Sequence, residues 1–263
     1  MSANADGEVL YSVKDRTARI TINRPERRNA LTWTAIEALA RHLAVAKDDP
    51  DVRVVVLSGA GERAFCSGVD LSEMSSGSSY ASLHEARGKV AELFGLLWSL
   101  GKPVIAAVRG YAVAGGFGLA LACDLVVCSE DSVFAAPEID IGLWPFMITV
   151  PLVRSMPPKK ALELMLTGRR VGADEAERMG FVNRVVPAAQ LDDAVRDLAT
   201  TLAAKSPVAM RLGRDSFYAV WDMAAAEALA VLHPLLTVAV GTDDAKEGTA
   251  AFREKRPPEW PDP

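Results

Sequence analysis

The stretch from Lys102 to Glu138 constrains the fold more than any other part of the chain. Pro103–Val108 (PVIAAV) is short and apolar, as a buried strand is. Gly110–Gly118 (GYAVAGGFG) follows as a turn running into a short helix, and Asp124–Cys128 (DLVVC) is the next strand. Only Leu119–Cys123 separates the glycines from that strand. This is too short for the helix of a dinucleotide-binding unit, the main rival for such a glycine pattern. Phe134–Glu138 (FAAPE) then sets an acid after an apolar run. Glycines at a helix start leave backbone N–H groups without intrahelical partners. Such donors can hold an oxyanion, and a carboxylate beside them can move a proton. Tight helix–strand packing alone would ask for the same glycines.

The length, 263 residues with 50% hydrophobic content, suits one large domain or one domain with a small appendage. A net charge of −5 argues against a broad nucleic-acid surface. It leaves room for a few arginines that bind phosphates. Cys66, Cys123 and Cys128 offer neither a disulfide framework nor a zinc spacing, so reduced thiols and a cytoplasmic setting are expected. The N-terminus (MSANADGE) lacks the basic and apolar regions of a secretory signal. Met223–Val240 is the most apolar long segment. Glu227, His233 and Pro234 interrupt it, which favours a buried helix at a subunit interface over a membrane span. His42, His84 and His233 stand near neither a G-x-S-x-G elbow nor a second metal ligand, and are expected to be packing or surface residues.

The first half alternates strands and helices. Val9–Lys14 and Ala18–Asn23 read as a hairpin turning at Asp15-Arg16-Thr17. Thr32 caps a helix over Trp33–Asp48, and Val52–Ser58 is a buried strand. Gly59–Asp70 reads as a loop, Ser72–Ser82 as a mobile Ser/Gly-rich segment and His84–Leu100 as a helix. Helical patterns dominate the second half: Pro158–Thr167, Ala173–Met179, Leu191–Lys205, Pro207–Val220, Met223–Val240 and Asp243–Phe252. An α/β body followed by a helical region results.

Several pieces together resemble the crotonase superfamily, the enoyl-CoA hydratase/isomerase family. They are Asn23–Leu31 (NRPERRNAL), Ala64–Leu71 (AFCSGVDL), Pro103–Ala120, Cys123-Asp124, Phe134–Leu143 (FAAPEIDIGL), Leu166–Gly168, Gly180–Pro187 (GFVNRVVP) and Phe252–Lys255 (FREK). They run in the family's order over nearly the whole chain. The resemblance implies a spiral of β-β-α units over residues 1–195 and a helical trimerisation region over 196–263. It implies a homotrimer, or a homohexamer of paired trimers, acting on an acyl-CoA thioester. Coenzyme A would enter only as part of the substrate, with no metal, redox cofactor, nucleic acid or membrane. The N–H groups of Val69 and Gly115 would hold the thioester oxygen, and Glu138 would transfer the proton. Arg27, Arg63, Ser67, Val69 and Leu71 would contact the CoA portion.

Trp144, Pro145, Phe146 and Met147 line the acyl pocket if Glu138 faces it; plain core packing explains them equally well. Asp140 is the competing acid, with structural hydrogen bonding as its default role. Asp70 and Asp124 are expected to brace loops.

One departure from the family pattern is informative. Its hydratases carry two glutamates, and the first would fall at Gly118 here. Hydration needs one group to activate water and another to protonate carbon. Moving a double bond needs a single carboxylate. The chain is therefore expected to be isomerase-like. A hydratase with an altered water site and a weakly catalytic CoA-thioester binder are the alternatives. A glutamate installed at 118 is expected to raise hydration.

Overall fold

The computed structural model describes residues 5–74 and 79–260. After the single turn α1 (Ala5–Glu8), strands β1 (Val9–Lys14) and β2 (Thr17–Ile22) pair antiparallel, with Lys14 opposite Thr17. Asp15 and Arg16 make the turn at φ of 50° and 60°. Two left-handed residues in a two-residue loop match the twist of a hairpin, although neither is the glycine usually found there. Thr32 then caps α2 (Trp33–Asp48), its hydroxyl accepting from the Ala35 N–H at 2.9 Å.

From here the chain repeats a three-part step. β3 (Val54–Gly59) enters a large sheet, β4 (Ala64–Cys66) enters a small one, and α3 (Leu71–Met74) and α4 (Tyr80–Trp98) lead back. β5 (Val104–Val108), β6 (Tyr111–Val113) and α5 (Gly115–Ala122) repeat it, as do β7 (Leu125–Ser129), β8 (Val133–Ala135), α6 (Phe146–Ser155) and α7 (Pro158–Thr167). β9 (Val171–Gly172), α8 (Ala173–Met179) and β10 (Arg184–Val186) complete the two sheets. The large sheet runs β1-β2-β3-β5-β7-β10 and the small one β4-β6-β8-β9. All pairs are parallel except β1–β2 and β8–β9. This is the spiral of β-β-α units expected for the α/β class.

The central strands are mostly apolar because both faces are covered. Val55, Leu57, Val104, Ala106 and Val108 share a core with α2, α4 and α5. Val54, Val56, Ile105, Ala107 and Val127 pack against Leu191, Val195 and Ala199 of α9 (Leu191–Ala203). Those three α9 positions recur at helical spacing on one face.

The remaining helices, α10 (Pro207–Val220), α11 (Ala225–Val240) and α12 (Asp243–Glu254), follow α9. α11 is apolar yet has no buried residue, and Leu229 and Leu236 are 67% and 64% exposed. Among the described residues no single helix is long and apolar enough to cross a membrane.

The structure departs from the sequence-based expectations in several places: the short strands β6, β8, β9 and β10 lie in segments read as a turn or not read as strands, and α11, expected to be buried, has no buried residue within the chain. β4 lies inside the predicted 59–70 loop; three residues are too few to show a period. The predicted mobile segment 72–82 is helical at Leu71–Met74 and again from Tyr80, which Ser79 caps, while 75–78 lie outside the described residues. α6 was not predicted, because Pro151 interrupts it. A proline inside a helix removes one N–H donor, and packing must offset the loss. Here Ile148, Pro151 and Leu152 are buried.

Candidate active site

Three strands of the small sheet end side by side, and each delivers one site element. Cys66 pairs with Ala112 and Val113 pairs with Ala135, so β4, β6 and β8 stop nearly level. Val69 follows β4, Gly115 follows β6 and Glu138 follows β8.

Beyond β4, Gly68 adopts φ of +90°, which glycine allows at little cost. Leu31 then bridges the segment: its N–H donates to the Gly68 carbonyl and its carbonyl accepts from the Asp70 N–H, both at 2.8 Å. In a parallel bridge the residue between those two partners points its own N–H away. That residue is Val69.

The Gly115 N–H opens α5, where no intrahelical acceptor exists. The preceding residue, Ala114, sits at φ +52° and ψ −130°, a conformation suited to glycine. It is pinned on both sides. Its N–H donates to the Ala135 carbonyl at 2.9 Å, and its carbonyl accepts from the N–H groups of Phe117 and Gly118.

The Val69 and Gly115 loops touch. An ideal β-carbon on Gly115 would lie 3.6 Å from the Val69 nitrogen, and one on Gly68 would lie 2.9 Å from the Gly115 nitrogen. Among the described residues neither the Val69 nor the Gly115 N–H donates a hydrogen bond within the protein. Two neighbouring unpartnered amides are the geometry that holds an oxyanion.

Glu138 stands in a short 3-10 turn, Pro137–Ile141. Behind it, Phe134 packs with Phe117 and Phe181, ring centroids 5.2–5.5 Å apart, which anchors β8 to α5. The Glu138 Oε2 is buried without a hydrogen-bond partner among the described residues. Burial pushes its carboxyl above the usual glutamate range, opposed in part by a bond to its own backbone N–H. An unpaired carboxyl of this kind is a candidate proton carrier.

Asp140, the competing acid, is exposed, with its carboxylate against Gly168. Cys66 is no competing nucleophile: burial pushes its thiol up to about 12, so it stays protonated near neutral pH. Tyr11 stacks on His42, ring centroids 5.1 Å apart, so that histidine is a packing residue.

The segments that the resemblance leads one to expect near coenzyme A are tied together by buried polar contacts. Asn29, fully buried at φ 56°, donates to the carbonyls of Ala60 and Ala64 and accepts from the Arg24 N–H. Arg24 in turn pairs with Asp70 and Glu8, both at 3.2 Å. Asp70 therefore braces a loop as expected, and the Ser72 hydroxyl together with Arg24 holds its carboxyl below the usual range. This network joins the segments that carry Arg27, Arg63, Ser67 and Leu71. Arg27, Arg63 and Leu71 are exposed, and Ser67 is half-buried. Asn29 and Arg24 were missed as site-building residues. Asparagine's tolerance of left-handed backbone in a polar loop was the available signal.

Trp144 is half-buried against the core, whereas Phe146 is 72% exposed on α6. Gly118 carries the largest correction. An ideal β-carbon there would stand 2.2 Å from Cγ2 and 2.7 Å from Cβ of Ile148 on α6. A glutamate at 118 alone requires Ile148 to shift. Asp124 lies elsewhere, at the foot of β7, facing a cavity of about 490 Å³ against α10 whose lining includes none of Val69, Gly115 and Glu138.

The sequence profile described as enoyl-CoA hydratase/isomerase matches residues 13–263. A carnitinyl-CoA dehydratase from Proteus mirabilis is 38% identical over 248 residues, covering 92% of this chain and 93% of that protein. The crystal structure of an enoyl-CoA hydratase from Mycobacterium smegmatis superposes with a TM-score of 0.93 at 35% identity, over 96% of this chain and 98% of that one. An enoyl-CoA hydratase from Bacillus anthracis gives 0.92 at 31% identity, over 96% and 98%. With a matching profile over nearly its whole length and relatives alike from end to end, this chain belongs to the enoyl-CoA hydratase/isomerase family.

Proposed function

We propose that the protein is an isomerase-like acyl-CoA enzyme that moves a double bond by way of a thioester enolate. What supports this most is one juxtaposition: two unpartnered amides, Val69 and Gly115, after the neighbouring strands β4 and β6, and Glu138, with its buried and unpartnered Oε2, after β8 on the other side of β6. In a 3-enoyl-CoA, ionised Glu138 takes a proton from C2. The charge moves to the thioester oxygen, where the two N–H groups hold it. Glu138, now protonated, returns the proton to C4 and leaves a 2-enoyl-CoA. Atoms and charge balance with one carboxylate, and no water takes part. Its raised pKa suits both halves, because a group that gives and takes a proton works best near the operating pH.

Arg27, Arg63, Ser67, Val69 and Leu71 are assigned to the CoA portion, and Trp144 and Phe146 to the lining of the acyl pocket. The apolar face of α11 is assigned to assembly as a trimer or hexamer, within a helical region spanning 196–263. Three free thiols suit a reducing cytoplasm.

A lyase is the second reading, supported by the carnitinyl-CoA dehydratase and enoyl-CoA hydratases among the relatives. Glu138 would then protonate or deprotonate C2 while water adds or leaves at C3. The test is a panel of 2-enoyl- and 3-enoyl-CoA thioesters. Turnover of the 3-enoyl compounds supports the isomerase, and fast hydration of the 2-enoyl compounds supports the lyase. Tight binding without turnover defeats both.

A further inference from the structure

Gly118 and Ile148 occupy each other's space. On α5, Gly118 is one helical turn beyond Gly115, so the two share a side of the helix. Where the Gly118 side chain would begin, the branched side chain of Ile148 already stands, with Phe94 Cζ 3.3 Å away on the other flank. The conflict reaches the Ile148 Cβ, which is held to the α6 backbone and cannot swing aside as a side-chain tip can. α6 is also the direct continuation of the segment that holds Glu138. The Leu143 N–H donates to the Glu138 carbonyl at 3.0 Å, and Pro145 leads straight into α6. Any side chain at 118 therefore pushes on the helix whose start is tied to the proton-transfer residue.

We infer that Ile148 is a specificity-determining residue: it fills the volume of an acid at position 118 and turns that wall of the site apolar, so that water is kept off the acyl double bond. This builds on the isomerase-like assignment of Glu138. The side chain is 2% exposed and belongs to the main core, so the wall is dry and fixed. The substrate group that suits it is a hydrocarbon portion of the acyl chain. A hydroxyl or a nucleophilic water there would lose its hydrogen bonds. On this inference the exclusion of water rests on the pair Gly118/Ile148, not on Gly118 alone.

The experiment is a double-variant cycle on the full chain: wild type, Gly118→Glu, Ile148→Ala and Gly118→Glu/Ile148→Ala. Each protein is assayed for thermal midpoint, for crotonyl-CoA hydration and for 3-enoyl-CoA isomerisation at matched folded fraction. Gly118→Glu alone should lower the midpoint or fail to fold. Ile148→Ala alone should lower it through the cavity that it leaves. Added to Gly118→Glu, the same Ile148→Ala should raise the midpoint, a reversal of sign. The double variant should hydrate crotonyl-CoA about 10²-fold faster than wild type, the lower end of what a positioned acid–base group contributes. Its ratio of hydration to isomerisation should rise with it.

Additive losses of stability in the double variant would overturn the inference. So would a sign reversal with no gain in hydration in a wild type that turns over 3-enoyl-CoA. A wild type that neither binds nor turns over any acyl-CoA would instead remove the isomerase assignment and the water-excluding role with it. The packing exchange between the two residues would then still stand or fall on the midpoints alone.

Discussion

Arg214 on α10 donates from Nε to Oδ2 of Asp124 at 2.8 Å, across ninety positions of sequence. The same carboxylate accepts from the Val104 N–H at 2.7 Å and from the Tyr218 hydroxyl at 2.6 Å. Arg214 also donates to the carbonyls of Leu97 and Trp98, at the end of α4. One ion pair thus fastens the C-terminal helices to the start of β5. The Arg214 side chain is only 6% exposed, so its charge is largely desolvated and depends on its protein partners. Asp124→Asn should cost about 3–5 kcal/mol, the usual loss when one member of a buried pair is removed. Urea unfolding followed by circular dichroism measures it. A loss below about 1 kcal/mol would mean that the pair behaves as an exposed one.

Glu138→Gln keeps shape and polarity but cannot carry a proton. Turnover of the preferred acyl-CoA should fall by about 10²–10⁴. The same substitution should raise stability at neutral pH. Burial raises the Glu138 pKa in the folded state above its unfolded value. The stability associated with the neutral carboxyl is therefore complete below the unfolded pKa, and is lost as pH rises through the folded pKa. The amide of the Glu138→Gln protein stays neutral and avoids that loss. Thermal midpoints of both proteins should converge in acid and separate toward neutrality. A variant less stable than wild type at neutral pH would contradict the desolvated carboxyl.

The pH–rate profile should carry the same signature. Ionised Glu138 is the form that accepts a proton, so kcat/KM should drop as pH falls through its raised pKa. The acid limb should lie above that of an ordinary glutamate, about 4.3, and should be missing from the residual activity of the Glu138→Gln protein.

Gly115 meets no protein atom closer than 3.4 Å along its missing β-carbon. Gly115→Ala should fold with a near-normal midpoint. Its methyl group would nevertheless sit 3.6 Å from the Val69 nitrogen, over the space that the thioester oxygen needs. The barrier should rise by roughly 2.7–4 kcal/mol, as when an oxyanion donor is lost. Isothermal titration with an unreactive acyl-CoA separates lost chemistry from lost binding. By contrast, Ala114→Gly relieves a left-handed alanine and should stabilise the fold by about 1 kcal/mol.

Leu229 and Leu236 are one heptad apart on the same exposed face of α11. Leu229→Glu/Leu236→Glu should convert a trimer or hexamer to monomer in sedimentation velocity. A wild type that sediments as a monomer would end the assembly assignment.

Much of this was legible in the residues. The bounds of α2, α7, α8 and α10 follow from caps, prolines and period. The glycines and the acid singled out from the sequence lie just beyond strand ends, but the strands that carry them, β4, β6 and β8, are too short to be read. Contacts between distant segments were not legible. Ile148 blocks Gly118 because α6 crosses α5, and nothing within either segment reports that crossing. Asn29 looks like any polar loop residue until Ala60 and Ala64 are brought to it. Short β4 and proline-bearing α6 carry too little pattern to stand out from a loop.

The order of strands in the large sheet also bears on how the chain is made. β7 has β5 on one side and β10 on the other, and β10 leaves the ribosome only after the whole of α6, α7 and α8. At about 5–20 residues per second, the outer edge of β7 waits for its partner on the order of several seconds. That edge is Leu-Val-Val-Cys-Ser, with open backbone donors and acceptors that can pair with another nascent chain. Fragments that end before Arg184 should therefore collect in inclusion bodies, and slower translation between Ser129 and Val186 should lower the soluble yield of an otherwise unchanged protein.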